Sequence, residues 1–461
     1  MTNDTRALRV AVVGSGPAAF YAAGPLLGSE DPVVEVDMIE RLPTPWGLVR
    51  LGVAPDHPQL KTVSRAFEKI AARPGFRLLG NVEVGRDVTH EELTSAYDAV
   101  VYAVGSQTDR KLGIPGEDLP GSWAATELVA WYNGHPDYQQ LDFDLSSAER
   151  VVVVGNGNVA LDVARMLALT REEIAPTDAT DEAINAITSS SIRELVVLGR
   201  RGPVQASWTS TELHEMGDLA GADVVVDPAD LELDPASAAE LAEASNIVQR
   251  NMEILREFAS REPAGKPRRV VLRFGVSPVA LLGEERVEGV ELVRNELVPD
   301  GKGSVRAQAT EERETLSCEL VFRSVGYRGV PCPGVPFDDG SGTLPNVGGR
   351  VVGEDGHPLG GVYCAGWIKR GPTGVIGTNK KDAAETVQAV LADAESGVIG
   401  GRGSPAVAVD GLLAERGIDA VVYEGWEAID AAERARGEPQ GRPRIKLTSW
   451  DDLLAAGRAP K

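Results

Sequence analysis

Two glycine-rich turns are the segments of this sequence best suited to hold phosphate groups. Gly14 and Gly16 follow the apolar stretch 10–13, and Gly155 and Gly157 follow a run of valines. In such a turn the first glycine allows a sharp bend, and the second lets the backbone approach a pyrophosphate. The pyrophosphate would then lie at a helix N-terminus, where free N–H groups and the helix dipole favour anions. The sequence therefore predicts two dinucleotide sites in one chain.

The residues at the ribose end of each site differ in charge. Glu40 is placed to accept hydrogen bonds from ribose hydroxyls in the first site, where it would repel a 2′-phosphate. Arg200 and Arg201 occupy the corresponding place in the second site, and a pair of guanidinium groups can bind a phosphate bidentately. We therefore expect NADP in the second site and a different dinucleotide in the first. Such a pair suits electron transfer between a flavin and a nicotinamide.

Each turn must be positioned by a β-α-β unit. The first unit is predicted as a strand, a helix and a strand at 9–14, 17–28 and 34–39. The second is predicted as a strand, a helix and a strand at 151–154, 159–170 and 194–198. The usual spacing from glycine turn to ribose-end residue is about 20 residues. A polar insertion at 171–192 explains why the second unit exceeds that spacing.

The rest of the chain predicts further elements of both kinds. An amphipathic helix is expected at 236–260. Strands are expected at 269–274, 289–294 and 320–325. Near the C-terminal end, a strand at 361–366 leads into a glycine-rich turn, and a helix is expected from about Lys381.

The composition excludes several classes of function. The net charge of −23 argues against nucleic acid as a partner. No apolar run approaches the roughly 18 residues that span a membrane, and the polar N-terminus lacks the apolar segment of a signal peptide. We therefore expect a cytoplasmic protein without membrane insertion. The 3 cysteines form no C-x-x-C pair, which argues against a redox dithiol, an iron–sulfur cluster or a zinc site. No metal site is expected.

Five sequence blocks resemble the signature of the adrenodoxin reductase family, the NADPH–ferredoxin reductases of mitochondria and actinobacteria. They are PWGLVR at 45–50, GVAPDHP at 52–58, GNGNVALDVAR at 155–165, GRRGP at 199–203 and GWIKRGPTGVIG at 366–377. The resemblance extends through nearly the whole chain and is closest to mycobacterial-type members without a fused ferredoxin domain. It implies an α/β fold of the glutathione reductase class with two Rossmann-like domains. An NADP domain at 109–330 would be inserted into a split FAD domain at 1–108 and 331–461.

The resemblance also implies which residues contact the cofactors. Positions matched to FAD contacts are Ala18, Glu40, Leu48, Val84, Trp367, Gly374, Val375 and Ile376. Positions matched to NADP(H) contacts are Asn156, Gly157, Asn158, Val159, Arg200, Arg201, Glu212 and Gly374. His57 and Glu215 match a pair that the family places near the nicotinamide end, and they are the candidate catalytic residues.

Three side chains near these blocks allow two interpretations on the sequence alone. His57 is either a polar residue at the flavin edge, paired with Glu215 in proton balance, or a loop histidine bonded to backbone. The resemblance favours the first. Trp367 lies next to the glycine-rich turn that follows the strand at 361–366, and it is expected to contact the cofactor. Trp46 is instead expected to fill the core.

The expected activity is that of a ferredoxin–NADP⁺ reductase. Electrons would pass from NADPH through FAD to a ferredoxin-type iron–sulfur protein, and the chain is expected to be a monomer. The alternatives are another NADPH-dependent flavoprotein with two dinucleotides, such as a glutamate-synthase-like electron-input subunit, and a non-catalytic redox sensor. A disulfide reductase would need a cysteine pair, and the glutamate-synthase type usually carries N-terminal cluster cysteines. The sequence shows neither feature.

Overall fold

A computed structural model describes residues 6–301, 304–374, 376–400 and 407–458 of the chain. The described chain divides into two compact units. The first contains the residues up to Val53, His57–Thr108 and the residues from Tyr327 onward, and the second contains Ala54–Asp56 and Asp109–Gly326. The second unit is thus inserted in the chain of the first. No sequence pattern indicated that Ala54–Asp56 belongs to the second unit.

The first unit is built around a seven-stranded sheet. Its strands, in spatial order, are Asn346–Val347, Arg350–Val352, Pro358–Cys364, Ala99–Tyr102, Leu8–Val13, Val34–Ile39 and Phe76–Leu79. The last five are parallel to one another, whereas Arg350–Val352 is antiparallel to Pro358–Cys364. Val13 pairs with both Ile39 and Tyr102, so the carboxyl ends of three central strands lie side by side. Ligands bind at this edge in open α/β sheets.

Helices cover both faces of this sheet. Val10 and Val12 pack into one core, and Ala11 and Val13 pack into another on the opposite face. A strand buried on both faces has no polar side, which explains the uninterrupted apolar stretch after Arg9. The helices of this unit are Pro17–Leu26, Leu48–Leu51, Pro58–Lys61, Ser64–Ala71, His90–Ala96, Trp367–Arg370, Thr378–Glu395, Val407–Glu415, Tyr423–Gly437 and Trp450–Gly457, with a 3₁₀ turn at Glu438–Gln440.

The second unit is built around a six-stranded parallel sheet. Its strands, in spatial order, are Ser122–Ala124, Leu320–Arg323, Arg150–Val154, Glu194–Gly199, Arg268–Phe274 and Ala222–Val226. Helices cover one face; they are Ala125–Tyr132, Asn158–Ala168, Arg171–Ile174, Asp181–Thr188, Ser210–Met216, Pro235–Glu243 and Asn246–Ser260. Short 3₁₀ turns of this unit lie at Pro136–Tyr138, Pro203–Gln205 and Pro228–Leu231. Two-residue strands occur at Thr108–Asp109 and Tyr327–Arg328, where the chain passes from one unit to the other. The α/β fold with two Rossmann-like units is therefore confirmed.

The other face of the second sheet is covered by a three-stranded antiparallel sheet. Its strands are Val276–Leu282, Gly289–Pro299 and Val305–Ser317. Val290 and Leu292 of this small sheet pack against Val152 and Leu198 of the large one. The sequence predicted only part of the middle strand. The third strand was missed because it is mostly exposed and rich in charged residues, so it lacks the apolar alternation of a half-buried strand.

The insertion expected at 171–192 is present between helix Asn158–Ala168 and strand Glu194–Gly199, but it is not polar throughout. It contains two helices, and Ile184 and Ile187 of the second are buried in the core of the unit. The predicted helix at 236–260 is instead two helices that meet near Ser245, and the helix expected from Lys381 already begins at Thr378. No helix in the described part of the chain combines the length and the apolar character that a membrane crossing requires.

Candidate cofactor-binding sites

The first glycine turn joins Leu8–Val13 to Pro17–Leu26. Gly14 has φ +98°, and a Cβ there would lie 2.6 Å from the carbonyl oxygen of Ala103, so only glycine fits. Gly16 is the N-cap of the helix, and a Cβ on it would meet no atom within 4 Å. The space above the helix N-terminus is therefore open to an anion, whose charge the free N–H groups would stabilise.

Glu40 is fixed beside this turn. Its Oε2 accepts hydrogen bonds from the backbone N–H of Ser15 at 3.1 Å and from the Ser15 hydroxyl at 2.6 Å, and its Oε1 accepts one from the N–H of Leu42 at 3.0 Å. Burial raises the pKa of Glu40, although these hydrogen bonds oppose the shift. A carboxylate offers about four acceptor positions, so one remains for a ribose hydroxyl. The acid predicted from the sequence is thus held at the turn.

The second glycine turn repeats this geometry. Gly155 has φ +134°, and a Cβ there would lie 2.0 Å from the carbonyl oxygen of Ser324. A Cβ on Gly157 would meet nothing within 4 Å. The side-chain amide nitrogen of Asn156 is buried at this turn, and no described residue accepts a hydrogen bond from it. An open cradle beside an unsatisfied buried donor fits a ligand that carries acceptor oxygens.

The two residues after this turn have structural contacts. The side-chain oxygen of Asn158 accepts a hydrogen bond from the backbone N–H of Thr209 at 3.0 Å, which fixes the N-cap of helix Ser210–Met216. Val159 is half-buried against the core of the second unit. Asn158 therefore shapes the site by holding a neighbouring loop.

Arg200 and Arg201 follow strand Glu194–Gly199 and line a cavity of about 470 Å³. The backbone carbonyl of Arg200 accepts a hydrogen bond from the side-chain amide of Asn295 at 2.9 Å, and that of Arg201 accepts one from the N–H of Gly275 at 3.0 Å. Within the described ranges, neither guanidinium is paired with a carboxylate. The backbone is thus anchored while both positive charges stay available to an anion.

A third glycine-rich segment begins after strand Pro358–Cys364. A Cβ on Gly366 would lie 2.5 Å from the Cβ of Ala18, so this turn packs against the first turn of helix Pro17–Leu26. The indole N–H of Trp367 and the Nη2 of Arg370 both donate to the carbonyl oxygen of Thr373, at 3.2 and 3.1 Å. These bonds fix the segment before Gly374 from two sides.

Gly374 has φ +78°, and a Cβ there would lie 2.5 Å from the hydroxyl of Thr378. The start of helix Thr378–Glu395 therefore requires glycine at this position, independently of any ligand. Ile376 is half-buried against the core of the first unit. Val375 lies outside the described residues.

Trp46 belongs to the core, as expected. It is 4% exposed, and its ring packs edge-on against Trp426 at 4.8 Å between centroids. Its φ of +84° is rare for a bulky residue. Its backbone N–H donates to the carbonyl oxygen of Ser15 at 2.9 Å. Leu48 follows shortly and is 38% exposed. Val84 is half-buried against the core on the other face of the sheet.

Arg165 is a site residue that sequence reasoning did not single out. It is buried, and it bonds Asp56 through two nitrogens at 2.7 and 3.1 Å, Asp162 at 2.7 Å and Glu212 at 3.1 Å. Burial alone would lower the pKa of Arg165, but the three carboxylates outweigh it and raise the pKa. The Arg165 guanidinium thereby fixes the Glu212 side chain in place. The signal available was an arginine at the end of the block that begins at Gly155.

His57 and Glu215 lie in different units of the chain. His57 is 5% exposed and is the N-cap residue of helix Pro58–Lys61. Glu215 is half-buried on helix Ser210–Met216. Their pairing stays a prediction.

The cysteines do not form a redox pair. Cys318, Cys332 and Cys364 are all free thiols. Burial raises the pKa of Cys318 and Cys364 to about 12, and that of Cys332 to about 11. Since the thiolate is the reactive form, these groups are inert at neutral pH.

Comparison with known proteins agrees with this geometry. Residues 8–197 match the family described as pyridine nucleotide-disulphide oxidoreductase. NADPH-ferredoxin reductase FprA of Mycobacterium tuberculosis is 52% identical over 457 residues, covering 97% of this chain and 98% of that protein. The mitochondrial NADPH:adrenodoxin oxidoreductase of Arabidopsis thaliana is 42% identical, covering 98% and 96%. The solved structure of M. tuberculosis FprA in complex with NADPH has a TM-score of 0.93 at 52% identity, covering 98% and 100%.

The fold and the two glycine turns define a flavoprotein oxidoreductase that holds two dinucleotides. FAD and NADP(H) are its cofactors, as expected from the two glycine turns and the family resemblance. Within that class, the chain belongs to the adrenodoxin reductase-like family of NADPH–ferredoxin reductases, and the resemblance drawn from its sequence blocks is confirmed.

Proposed function

We propose that this chain is a ferredoxin–NADP⁺ reductase that takes electrons from NADPH and passes them through FAD to a ferredoxin-type iron–sulfur protein. The observation that carries the proposal is the contrast between the two ribose ends. Glu40 is a carboxylate bonded beside one glycine turn, whereas Arg200 and Arg201 are unneutralised guanidinium groups beside the other. The first arrangement disfavours a 2′-phosphate and the second attracts one.

We assign FAD to the first unit and NADP(H) to the second. Glu40 would bind the ribose of FAD. The free N–H groups at the N-terminus of helix Pro17–Leu26 would bind its pyrophosphate. In the second unit, the amide of Asn156 would donate to the nucleotide, and Arg200 and Arg201 would bind its 2′-phosphate. Bound FAD supplies the exchange between two-electron and one-electron transfer that no side chain can supply. The residues of the chain would bind both cofactors and orient them.

His57 and Glu215 are proposed to take part in proton balance near the reacting rings. The proposal is supported by the match of both positions to a family pair. The variant His57→Gln should then lower the reductase rate while FAD stays bound. A rate equal to that of the unmodified protein across about pH 5 to 9, the range that spans histidine titration, would remove His57 from the mechanism.

The free thiols argue against a disulfide reductase, because that reaction needs a pair of reactive cysteines. A non-catalytic redox sensor differs from an enzyme in one measurable respect. An enzyme should reduce ferricyanide with NADPH over many turnovers, whereas a sensor should keep an intact flavin spectrum without turnover. A glutamate-synthase-like input subunit would reduce ferricyanide but no ferredoxin.

The decisive experiment is stopped-flow reduction of the purified, FAD-loaded protein. NADPH should bleach the flavin far faster than NADH at equal concentration. Adding an oxidised ferredoxin from the same cell should then restore the flavin spectrum, and ferredoxins with different cluster types identify the acceptor. Flavin that NADPH cannot bleach, or that no ferredoxin reoxidises, would contradict the proposal.

The oligomeric state and the compartment are proposals from the sequence. We propose a monomer, which light scattering after size-exclusion chromatography tests. We propose a cytoplasmic location, which fractionation of the source cell tests.

A further inference from the structure

The cavity beside Arg200 and Arg201 contains a third arginine. Arg306 also lines it, together with the polar residues Ser277 and Asn295. No aspartate or glutamate is among the described residues that line this cavity. In a chain of net charge −23, three arginines that line one cavity without any carboxylate in its described lining indicate a site for an anion of high charge.

Arg306 is carried by the small antiparallel sheet. It lies on strand Val305–Ser317, where it pairs with Val298 of the neighbouring strand. Its side chain is exposed, and no described carboxylate forms an ion pair with it. Asn295 lies on that neighbouring strand and donates to the carbonyl oxygen of Arg200 at 2.9 Å. The small sheet is therefore anchored to the arginine turn.

We propose that Arg306 is a third phosphate-binding cation and a specificity-determining residue for NADPH over NADH. The inference rests on the proposed function, in which Arg200 and Arg201 bind the 2′-phosphate. That phosphate is a monoester with a charge between about −1.5 and −2 near neutral pH, so two guanidinium groups do not exhaust its acceptor oxygens. NADH lacks the group, and Arg306 therefore acts on NADPH alone.

The test compares Arg306→Ala with Arg313→Ala. Arg313 is an exposed arginine on the same strand that does not line the cavity, so its variant makes the same change in net charge. Binding of 2′,5′-ADP and of 5′-AMP to the FAD-loaded protein is measured by titration calorimetry at fixed ionic strength. The KM values for NADPH and NADH are measured with ferricyanide.

Arg306→Ala should weaken 2′,5′-ADP and raise the KM for NADPH about tenfold, the size of one charge-assisted hydrogen bond. Affinity for 5′-AMP and the KM for NADH should not change, and Arg306→Lys should retain part of the affinity. The proposal is overturned if Arg306→Ala matches Arg313→Ala, or if it weakens 5′-AMP and 2′,5′-ADP equally.

The double variant Arg200→Ala, Arg201→Ala separates this proposal from the proposed function. If the double variant loses more affinity for 2′,5′-ADP than for 5′-AMP and Arg306→Ala does not, only the proposed role of Arg306 is wrong. If the double variant instead loses affinity for 5′-AMP and for 2′,5′-ADP equally, the assignment of the phosphate site is wrong and both proposals are overturned.

Discussion

Glu40 accepts hydrogen bonds from both the backbone N–H and the hydroxyl of Ser15, at 3.1 and 2.6 Å. The two residues come from different ends of one β-α-β unit. Ser15 lies in the glycine turn, and Glu40 follows the second strand. The acid therefore has two predicted uses, because it would bind a ribose and it also holds the turn that is proposed to receive the pyrophosphate.

The variant Glu40→Gln tests this double use. Glutamine has no charge, and its amide nitrogen cannot accept the hydrogen bonds from Ser15 or Leu42. Hydrogen bonds to a charged group contribute about 1.5–3 kcal/mol each, so loss of one should weaken FAD binding by tenfold or more. Flavin released on dialysis, followed by its fluorescence, measures the effect. Glu35→Gln, a change at an exposed position on the strand that precedes Glu40, should retain FAD. Equal loss of FAD from both variants would contradict the assignment.

A buried ion pair supports the helix that carries Leu48. Arg50 lies on that helix, and its guanidinium bonds the carboxylate of Glu433 through two nitrogens at 2.8 and 2.6 Å. Both side chains are buried. Breaking a buried pair by removing one charge costs about 3–5 kcal/mol. Glu433→Gln should lower the free energy of unfolding by that amount in urea denaturation, whereas Glu427→Gln, exposed on the same helix, should change it little.

The same pair predicts a pH dependence. Burial alone would raise the pKa of Glu433, but Arg50 and Arg444 outweigh it and hold the pKa below its usual range. A lowered folded-state pKa stabilises the fold above the unfolded value of about 4.3, and this stability is lost as the pH falls through the folded value. Glu433→Gln should flatten the acid side of a plot of stability against pH. An unchanged acid slope would show that other groups cause the acid loss.

Gly374 and Gly377 provide a matched pair of test positions in the glycine-rich segment that follows strand Pro358–Cys364. Gly374 has positive φ and faces the hydroxyl of Thr378, whereas Gly377 has φ −63° and open space around it. Gly374→Ala should strain the backbone by about 1–2 kcal/mol and displace the turn. We expect an altered flavin spectrum and slower reduction by NADPH in that variant alone. If Gly374→Ala leaves the spectrum and the rate unchanged, or if Gly377→Ala changes them equally, the positive φ of Gly374 is not what the turn requires.

Local patterns in the sequence were sufficient to predict both glycine turns. Each pattern lies within one short β-α-β unit: an apolar stretch before Gly14 or Gly155, and a charged residue, Glu40 or Arg200, after the second strand. The contacts of Asn295 with the arginine turn could not be predicted, because they join strands far apart in sequence through the missed small sheet. Burial of the insertion was missed for a similar reason, since Ile184 and Ile187 become apolar contacts only once the core of the unit is assembled.

We predict that Asn295 positions Arg200 in the proposed phosphate site, and this role can be separated from binding itself. Its buried amide donates to the carbonyl of Arg200 at 2.9 Å and to the hydroxyl of Ser277 at 2.8 Å. Asn295→Ala removes both bonds and leaves the arginine turn without this anchor. Neutral hydrogen bonds contribute about 0.5–1.5 kcal/mol each, so the KM for NADPH should rise about three- to tenfold.

Two further variants sharpen this prediction about Asn295. Asn295→Asp should raise the KM for NADPH more than Asn295→Ala, because it adds a negative charge to the cavity and turns a carboxylate toward the carbonyl of Arg200. Ser277→Ala leaves the bond to Arg200 in place and should have little effect. The KM for NADH and the FAD content should stay constant throughout. A parallel rise in the KM for NADH would show that Asn295 supports the whole unit and does not position the arginines.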